Sequence, residues 1–589
     1  MFRLLKNLTK RDILLIFVVV AGICFQVWLD LKLPDYMSEI TRLVQTEGSD
    51  FLDIIKNGAF MMGCALGSLA GAFLVGFLTA NISASFSRSV RKTLFNKVEN
   101  LSMAEIKKFS VASLITRTTN DITQIQMFLA MGMQMLIKAP ITAVWAITKI
   151  LDKSREWSTA TAITVVILLS VVISIMAVVI PRFKIIQKLT DRLNGVTREN
   201  LTGIRVVRAF NAEKYEEEKF KKANDDLTDT QIFNQRALSI LGPTIFFFMH
   251  SITVVVYAIG TFLISDADQM QKLTIFSNMV VFSSYAMQVI MSFLMLAFTF
   301  MMIPRAQVSA VRINEVLDTK LTIKQGTNRA NKTKEIGTVE FKDVSFKYPD
   351  AEENIIENIS FKAEQGQTVA FIGSTGSGKS TLINLIPRFY DATSGEVLVD
   401  GINVKDYTFE SLYNKLGYVP QKAVMFSGTV SSNVSFGNNG KGETSAEKIV
   451  EAIKVAQGKD FVEKLDKTYL AHIAQGGTNI SGGQKQRLAI ARAIARDPEI
   501  YIFDDSFSAL DYRTDAALRK ALKKHTKNAT SLIVAQRIGT IMNADLIIVL
   551  DQGKCVGKGT HSELLKKCKV YRQIAESQLS PEELMKGGK

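Results

Sequence analysis

Six apolar runs constrain this chain more than any other feature. They lie at residues 13–33, 58–82, 128–151, 158–181, 238–264 and 276–303. Each supplies about the twenty residues a helix needs to cross the hydrocarbon core of a bilayer. The chain has 589 residues, 47% of them apolar, and a mean hydropathy of +0.15. Water-soluble chains of that length rarely average above zero, so part of it belongs in lipid, and the length calls for two or more domains. The first run follows Arg3, Lys6, Lys10 and Arg11 and continues past Trp28 to Leu33. That is too long for a cleaved signal segment and reads as a retained spanning helix. Gly63, Gly67, Gly71 and Gly76 suit the second run to close helix contact. Lys138 and Pro140 mark the third as a span that is kinked or lines a water-filled cavity.

The formal charge of +15 has two readings. A nucleic-acid partner is one, but no aromatic–basic RNA-binding motif accompanies the charge. Basic loops facing anionic lipid on the cytoplasmic side are the other, and the distribution supports them. Segment 83–127 carries Arg88, Arg91, Lys92, Lys97, Lys107, Lys108 and Arg117, and segment 182–237 is equally basic. The segment after the first run is acidic, with Asp35, Glu39, Glu47, Asp50 and Asp53. The two basic segments are therefore inside, and so are the N-terminus and everything after residue 304. Both basic segments keep helical apolar spacing, as in Leu189, Leu193 and Val196, and read as extensions of the membrane helices into the cytoplasm. Cys24, Cys64, Cys555 and Cys568 show neither metal-site spacing nor a disulfide framework.

After Pro304 the character changes. Residues 318–337 are polar and read as a linker. From 338 onward short β-type runs alternate with helical ones: VEFKDVSF, TVAFIG, EVLVDG, IYIFDD, SLIVAQ and LIIVLD. This predicts an α/β domain with a mostly parallel core sheet.

Three motifs carry chemistry. Gly373-Ser374-Thr375-Gly376-Ser377-Gly378-Lys379-Ser380-Thr381 follows the strand TVAFI and matches the phosphate loop G-x-x-x-x-G-K-[ST]. Its backbone N–H groups can close around phosphates, Lys379 can reach the β- and γ-phosphates, and the Ser380 hydroxyl can bind Mg²⁺. The apolar strand IYIFDD ends in Asp504, a second Mg²⁺ ligand from the same sheet edge. Ser481-Gly482-Gly483-Gln484 is a small polar loop opening a helix, suited to binding a phosphate.

With these motifs in hand, residues 338–575 resemble an ATP-binding cassette of the ABC transporter family, and residues 13–304 resemble the six-helix domain of its exporter branch. The resemblance implies ATP and Mg²⁺ as cofactors and two cassettes facing head to tail. Each ATP would lie between one chain's phosphate loop and the other's SGGQ signature. It implies that Tyr348 stacks on adenine, and that Gln421 senses the γ-phosphate and Mg²⁺. Ser508 to Asp511 resemble the D-loop. Residues 199–210, with Glu213 and Glu217, and the stretch Phe109 to Asp121 resemble coupling regions that dock on cassettes.

Three positions depart from the family pattern. Asp505 stands where a glutamate polarises the attacking water, Gln536 where the switch histidine is found, and Gln475 where exporters often carry a glutamate before the signature. His561 is downstream of the switch position. Asp505 is one methylene shorter than glutamate, and Gln536 carries no charge near pH 7. General-base help is worth about 10²–10⁴-fold, so hydrolysis at this site should be slow while ATP binding survives. The same pair of changes resembles the degenerate-site subunit of a heterodimeric exporter. The expected architecture is a membrane domain at 1–317, a linker at 318–337, a cassette at 338–575 and a tail at 576–589. The expected function is ATP-driven outward movement of small amphipathic compounds, drugs or lipids, by a half-transporter in a bacterial plasma membrane, with no nucleic acid involved. The expected partner is a second half-transporter. The alternatives are a homodimeric exporter with weak ATPase and an ATP-gated or regulatory protein that does not pump. The spans carry Met131, Met133, Met135 and Phe246 to Phe248, adaptable residues suited to apolar ligands. Lys138 is the leading candidate for a cavity residue.

Overall fold

The structure is a computed structural model describing residues 3–46, 48–151, 153–265, 267–329, 335–437, 440 and 442–580. Glu47, part of the expected linker (330–334) and part of the expected tail (581–589) lie outside the described residues. The chain forms two compact units, Met1–Glu99 with Ala112–Asp318 and Asn100–Val111 with Thr319–Lys589.

The first unit is helical. Among the described residues, six helices are long and apolar enough to cross a membrane: Lys10–Gln45, Phe51–Glu99, Val111–Leu151, Arg155–Ala209, Glu213–Ser265 and Gln271–Asp318. The first is started by a reciprocal cap, in which Thr9 Oγ1 accepts from the Asp12 backbone and Asp12 Oδ2 accepts from the Thr9 N–H. The two basic segments are helical extensions, as their apolar spacing implies. Trp157, Tyr285, Phe86 and Phe282 are fully buried between helices, while Phe17, Phe73 and Phe262 face outward. Such an outward apolar surface is what a bilayer covers.

The irregularity in the third span does not fall at Lys138 or Pro140. It is a π-helical turn at Phe128–Gly132, ahead of the helix Met133–Leu151 that carries Lys138 and Pro140. Nor do all four glycines of the second span serve close contact. A side chain at Gly67 would press on Leu29, and one at Gly71 would touch Gln26, but Gly63 and Gly76 face open space.

The second unit holds two main sheets. A six-stranded sheet runs in the order Lys554–Gly559, Leu546–Asp551, Thr368–Gly373, Thr530–Val534, Ile500–Asp504, Leu416–Val419. All neighbours pair parallel except the first two. The runs VEFKDVSF and EVLVDG are not in this sheet. They form a separate antiparallel sheet, in the order Ile356–Ala363, Val339–Phe346, Ser394–Val399, Ile402–Asn403. Their interspersed polar residues suit a sheet with one wet face, whereas the continuous apolar runs TVAFI and IYIF are buried on both.

An ion cluster forms around Asp400, which follows the strand Ser394–Val399. Lys415 Nζ bonds Asp400 Oδ2 at 2.6 Å and Glu499 Oε2 at 2.9 Å, with the Asp400 side chain fully buried. Part of the expected linker is ordered along the cassette: Gly326 N donates to Tyr407 O, and Asn328 N donates to Asp406 O. Gly326 has to be glycine, because any Cβ there would collide with the Asp406 backbone. At the other end, the expected tail begins inside a helix that runs from Lys569 to Gln578.

The stretch expected to dock on a cassette, Phe109 to Asp121, is divided. Residues up to Val111 pack as part of the cassette unit, whereas Arg117 and Asp121 belong to the helical unit. There Arg117 bonds Glu315 at 2.8 Å, and Asp121 Oδ1 accepts from Ser309. Within the cassette unit the helix Met103–Phe109 is seated by Glu105, whose Oε1 accepts from the Thr322 backbone at 3.2 Å, and by Ala104, packed against the core.

Candidate functional site

The phosphate loop links the strand Thr368–Gly373 to a short helix, Lys379–Ile383, shorter than the run TLINLI suggested. Gly378 has φ +91°, a left-handed conformation, and a side chain there would press on the Ile355 carbonyl. Lys379 is turned into the loop, with Nζ donating to the carbonyls of Gly373 at 2.9 Å and Ser374 at 2.7 Å. Burial lowers the Lys379 pKa, opposed by the nearby charges of Asp505 and Asp504. An ammonium held by neutral groups, two carbonyls and the Ser377 hydroxyl, is a natural seat for phosphate oxygens.

Ser380 Oγ donates to Asp504 Oδ1 at 2.6 Å. These two hard oxygens, from the helix Lys379–Ile383 and the end of the strand Ile500–Asp504, are a donor set that suits Mg²⁺. Burial raises the pKa of Asp504, partly offset by the Ser380 bond. A divalent cation would relieve that cost.

The next residue, Asp505, is buried, and its backbone is left-handed at φ +46°. Strain of this kind concentrates at functional sites. Its Oδ2 accepts from Gln536 Nε2 at 2.8 Å and from Gln421 Nε2 at 3.3 Å. Burial also raises the Asp505 pKa, opposed by hydrogen bonds from Gln421 and Ser508. The three residues therefore share one carboxylate oxygen. Gln536 is itself held from behind, because Gln578 accepts from the Ile538 N–H and donates to the Gln536 carbonyl. His561 is elsewhere, buried against the Tyr571 hydroxyl at 2.7 Å.

The structure thus brings together the phosphate loop, Asp504, Asp505, Gln421 and Gln536. Ser481 and Gln484 are not part of this cluster and bond each other instead, as the cap of the helix Gly482–Arg496. Gly483 lies against the Ala509 carbonyl of the D-loop. Tyr348 bonds Thr381 through its hydroxyl at 3.1 Å and meets Phe346 and Tyr390 edge to face. Two residues of this neighbourhood carry no signal in the sequence. Gln578 lies in an ordinary polar helix, and Lys107 lies among many lysines of a basic segment.

The helical unit contains a cavity of about 450 Å³ lined by Gln26, Met131, Gln134, Met135, Lys138 and Met295, among others. Gly76 opens onto it, which accounts for the empty space beside that glycine. Lys138 lines it but is not a lone charge, since Nζ bonds Asp30 Oδ2 at 3.2 Å, and Asp30 also accepts from Ser68. Phe246 and Phe247 point outward instead.

Comparison with known proteins fits this architecture. Residues 13–293 match the model of the ABC transporter transmembrane region, and residues 356–508 match that of the ABC transporter. An uncharacterized ABC transporter ATP-binding protein of Mycobacterium tuberculosis is 38% identical, with 93% of each chain covered. The ATP-dependent lipid A-core flippase of Pseudomonas aeruginosa is 31% identical, covering 86% of this chain and 82% of that one. A solved bacterial Atm1-family ABC exporter with ATP bound shares the fold, with a TM-score of 0.80 at 24% identity and coverage of 97% and 99%. Six membrane-spanning helices, one phosphate-loop cassette and relatives that match over nearly the whole length lead to one assignment: the chain belongs to the ABC transporter family, as an exporter-type half-transporter embedded in a membrane.

Proposed function

We propose that this chain is the ATP-holding, slowly hydrolysing half of a heterodimeric exporter. The observation that carries the reading is the shared oxygen of Asp505, bonded to both Gln536 and Gln421. A carboxylate that polarises water needs a free oxygen aimed at that water. Here two amides engage Oδ2 and turn the carboxylate toward the two glutamines, on a side chain roughly 1.5 Å shorter than glutamate. Gln536 cannot carry the positive charge that a histidine could place near the γ-phosphate. ATP binding needs none of this. Lys379, Ser380 and Asp504 would hold the triphosphate and Mg²⁺, Tyr348 the adenine, and Mg²⁺ would neutralise charge between the β- and γ-phosphates. In this reading Ser481 to Gln484 complete the catalytic site of the partner chain. Phe210, exposed beside the helix end at Ala209, belongs to the segment that docks on the partner's cassette.

The cargo is a small amphipathic compound moved outward across a bacterial plasma membrane, with the N-terminus and cassette in the cytoplasm. The support is the cavity, where flexible Met131, Met135 and Met295 lie beside Gln26, Gln134 and Lys138. A relative named as a lipid flippase is consistent with it. The test is ATPase activity of the purified chain alone and combined with candidate half-transporters. Little turnover alone and full turnover with one partner is expected. Robust turnover from this chain alone would mean a working homodimer.

A further inference from the structure

The ring expected to stack on adenine already has a neighbour. Lys107 Nζ stands 4.9 Å from the Tyr348 ring centroid and 5.6 Å from that of Tyr390. Lys107 lies on the helix Met103–Phe109, which precedes the third span in sequence yet packs within the cassette unit. Tyr348 cannot easily turn to offer another surface. Its hydroxyl is tied to Thr381 of the phosphate loop, and Phe346 and Tyr390 meet it at 81° and 89°. A base stacked on the face that the ammonium covers needs the space in which the ammonium stands. The ammonium has no competing carboxylate in the salt bridges of the described residues. The adjacent Tyr390 side chain holds it above the usual lysine range, against a loss from burial.

We propose that Lys107 and a purine base compete for the Tyr348 ring, so that filling the base site loosens the helix Met103–Phe109, and seating that helix weakens base binding. The inference rests on Tyr348 being the adenine platform, as in the function proposed above. It makes Lys107 a positioning residue that reports base occupancy to the segment leading into the third span. The linkage is reciprocal, because each occupant can shift the other only by its own differential affinity.

The test uses the full chain in lipid nanodiscs and two probes, MgATP and magnesium tripolyphosphate, which has the phosphates without the base. Lys107→Met should tighten MgATP about two- to fivefold, the worth of an exposed cation–π contact. It should leave tripolyphosphate unchanged, and Lys107→Arg should behave like the native chain. Hydrogen exchange at residues 103–109 should rise on saturation with MgATP and not with tripolyphosphate. Unchanged or weaker MgATP binding by Lys107→Met, or an equal shift for both probes, would overturn the proposal. A separate variant, Tyr348→Ala, guards the underlying reading. If it weakens MgATP no more than tripolyphosphate, Tyr348 is not the base platform and the fault lies there.

Discussion

The side-chain amide of Gln536 donates to Asp505 Oδ2 at 2.8 Å, and the amide of Gln421 reaches the same oxygen at 3.3 Å. One oxygen thus ties the end of the strand Ile500–Asp504, the loop after Leu416–Val419 and the loop after Thr530–Val534. Two amide donors on one oxygen hold the short carboxylate in place, which suits a site that holds a nucleotide and attacks it slowly.

Restoring the missing groups should restore chemistry. Asp505→Glu together with Gln536→His is expected to raise phosphate release at this site by about 10²-fold or more, the usual worth of general-base assistance. Either change alone should do less, because Gln536 would still engage a lengthened carboxylate and a histidine would still face a short one. Single-turnover phosphate release with a partner whose own site is disabled measures it.

Asp504 should show opposite effects on binding and on stability. Its pKa is raised by burial, so the ionised form costs folding free energy that the protonated form does not. That stability is fully present below the ordinary carboxylate value and is lost as pH rises through the raised value. Asp504→Asn keeps an acceptor for Ser380 and removes the charge. The nucleotide-free chain should melt higher at neutral pH, each kcal/mol gained shifting the midpoint by about 2–4 °C in a domain of this size. The stabilisation that MgATP gives the native chain should largely vanish. Thermal melts with and without MgATP across pH 5 to 8 follow both effects.

Lys415 is a point of structural weakness. Replacing it with Met leaves Asp400 buried without its cation, and loss of one member of a buried pair typically costs about 3–5 kcal/mol. Lys415→Met with Asp400→Asn should recover much of that loss, since the only charge then left without its cation is that of Glu499, which is partly exposed. Denaturant or thermal unfolding of the four variants forms the cycle that checks it.

In the membrane unit, the Lys138–Asp30 pair should matter as a pair. Lys138→Met alone leaves the Asp30 charge with no cation and only the Ser68 hydroxyl as partner, a costly state in a span. Reduced yield of folded protein is expected, and Asp30→Asn should rescue it. The double variant then asks about cargo. Transport changed for anionic or zwitterionic amphiphiles would assign Lys138 to recognition, and unchanged transport across a panel would confine it to packing.

The parts of this protein whose signals are local can be read from consecutive residues. Apolar runs of bilayer length follow from the cost of exposing backbone to lipid, and the phosphate loop is written as consecutive residues because one loop makes one nest. The substitutions Asp505 and Gln536 are read off their strands in the same way. Tertiary structure alone decided which groups meet across long separations. Asp30 sits within an apolar run and gains its meaning only from Lys138, 108 residues later. Gln578 holds a loop 40 residues before it, and Lys107 reaches a tyrosine in a different domain of the sequence. The antiparallel sheet shared strand-like runs with the parallel one, and only pairing separated them. Local pattern records what each segment must avoid exposing, and the partner that covers it is chosen by packing in three dimensions.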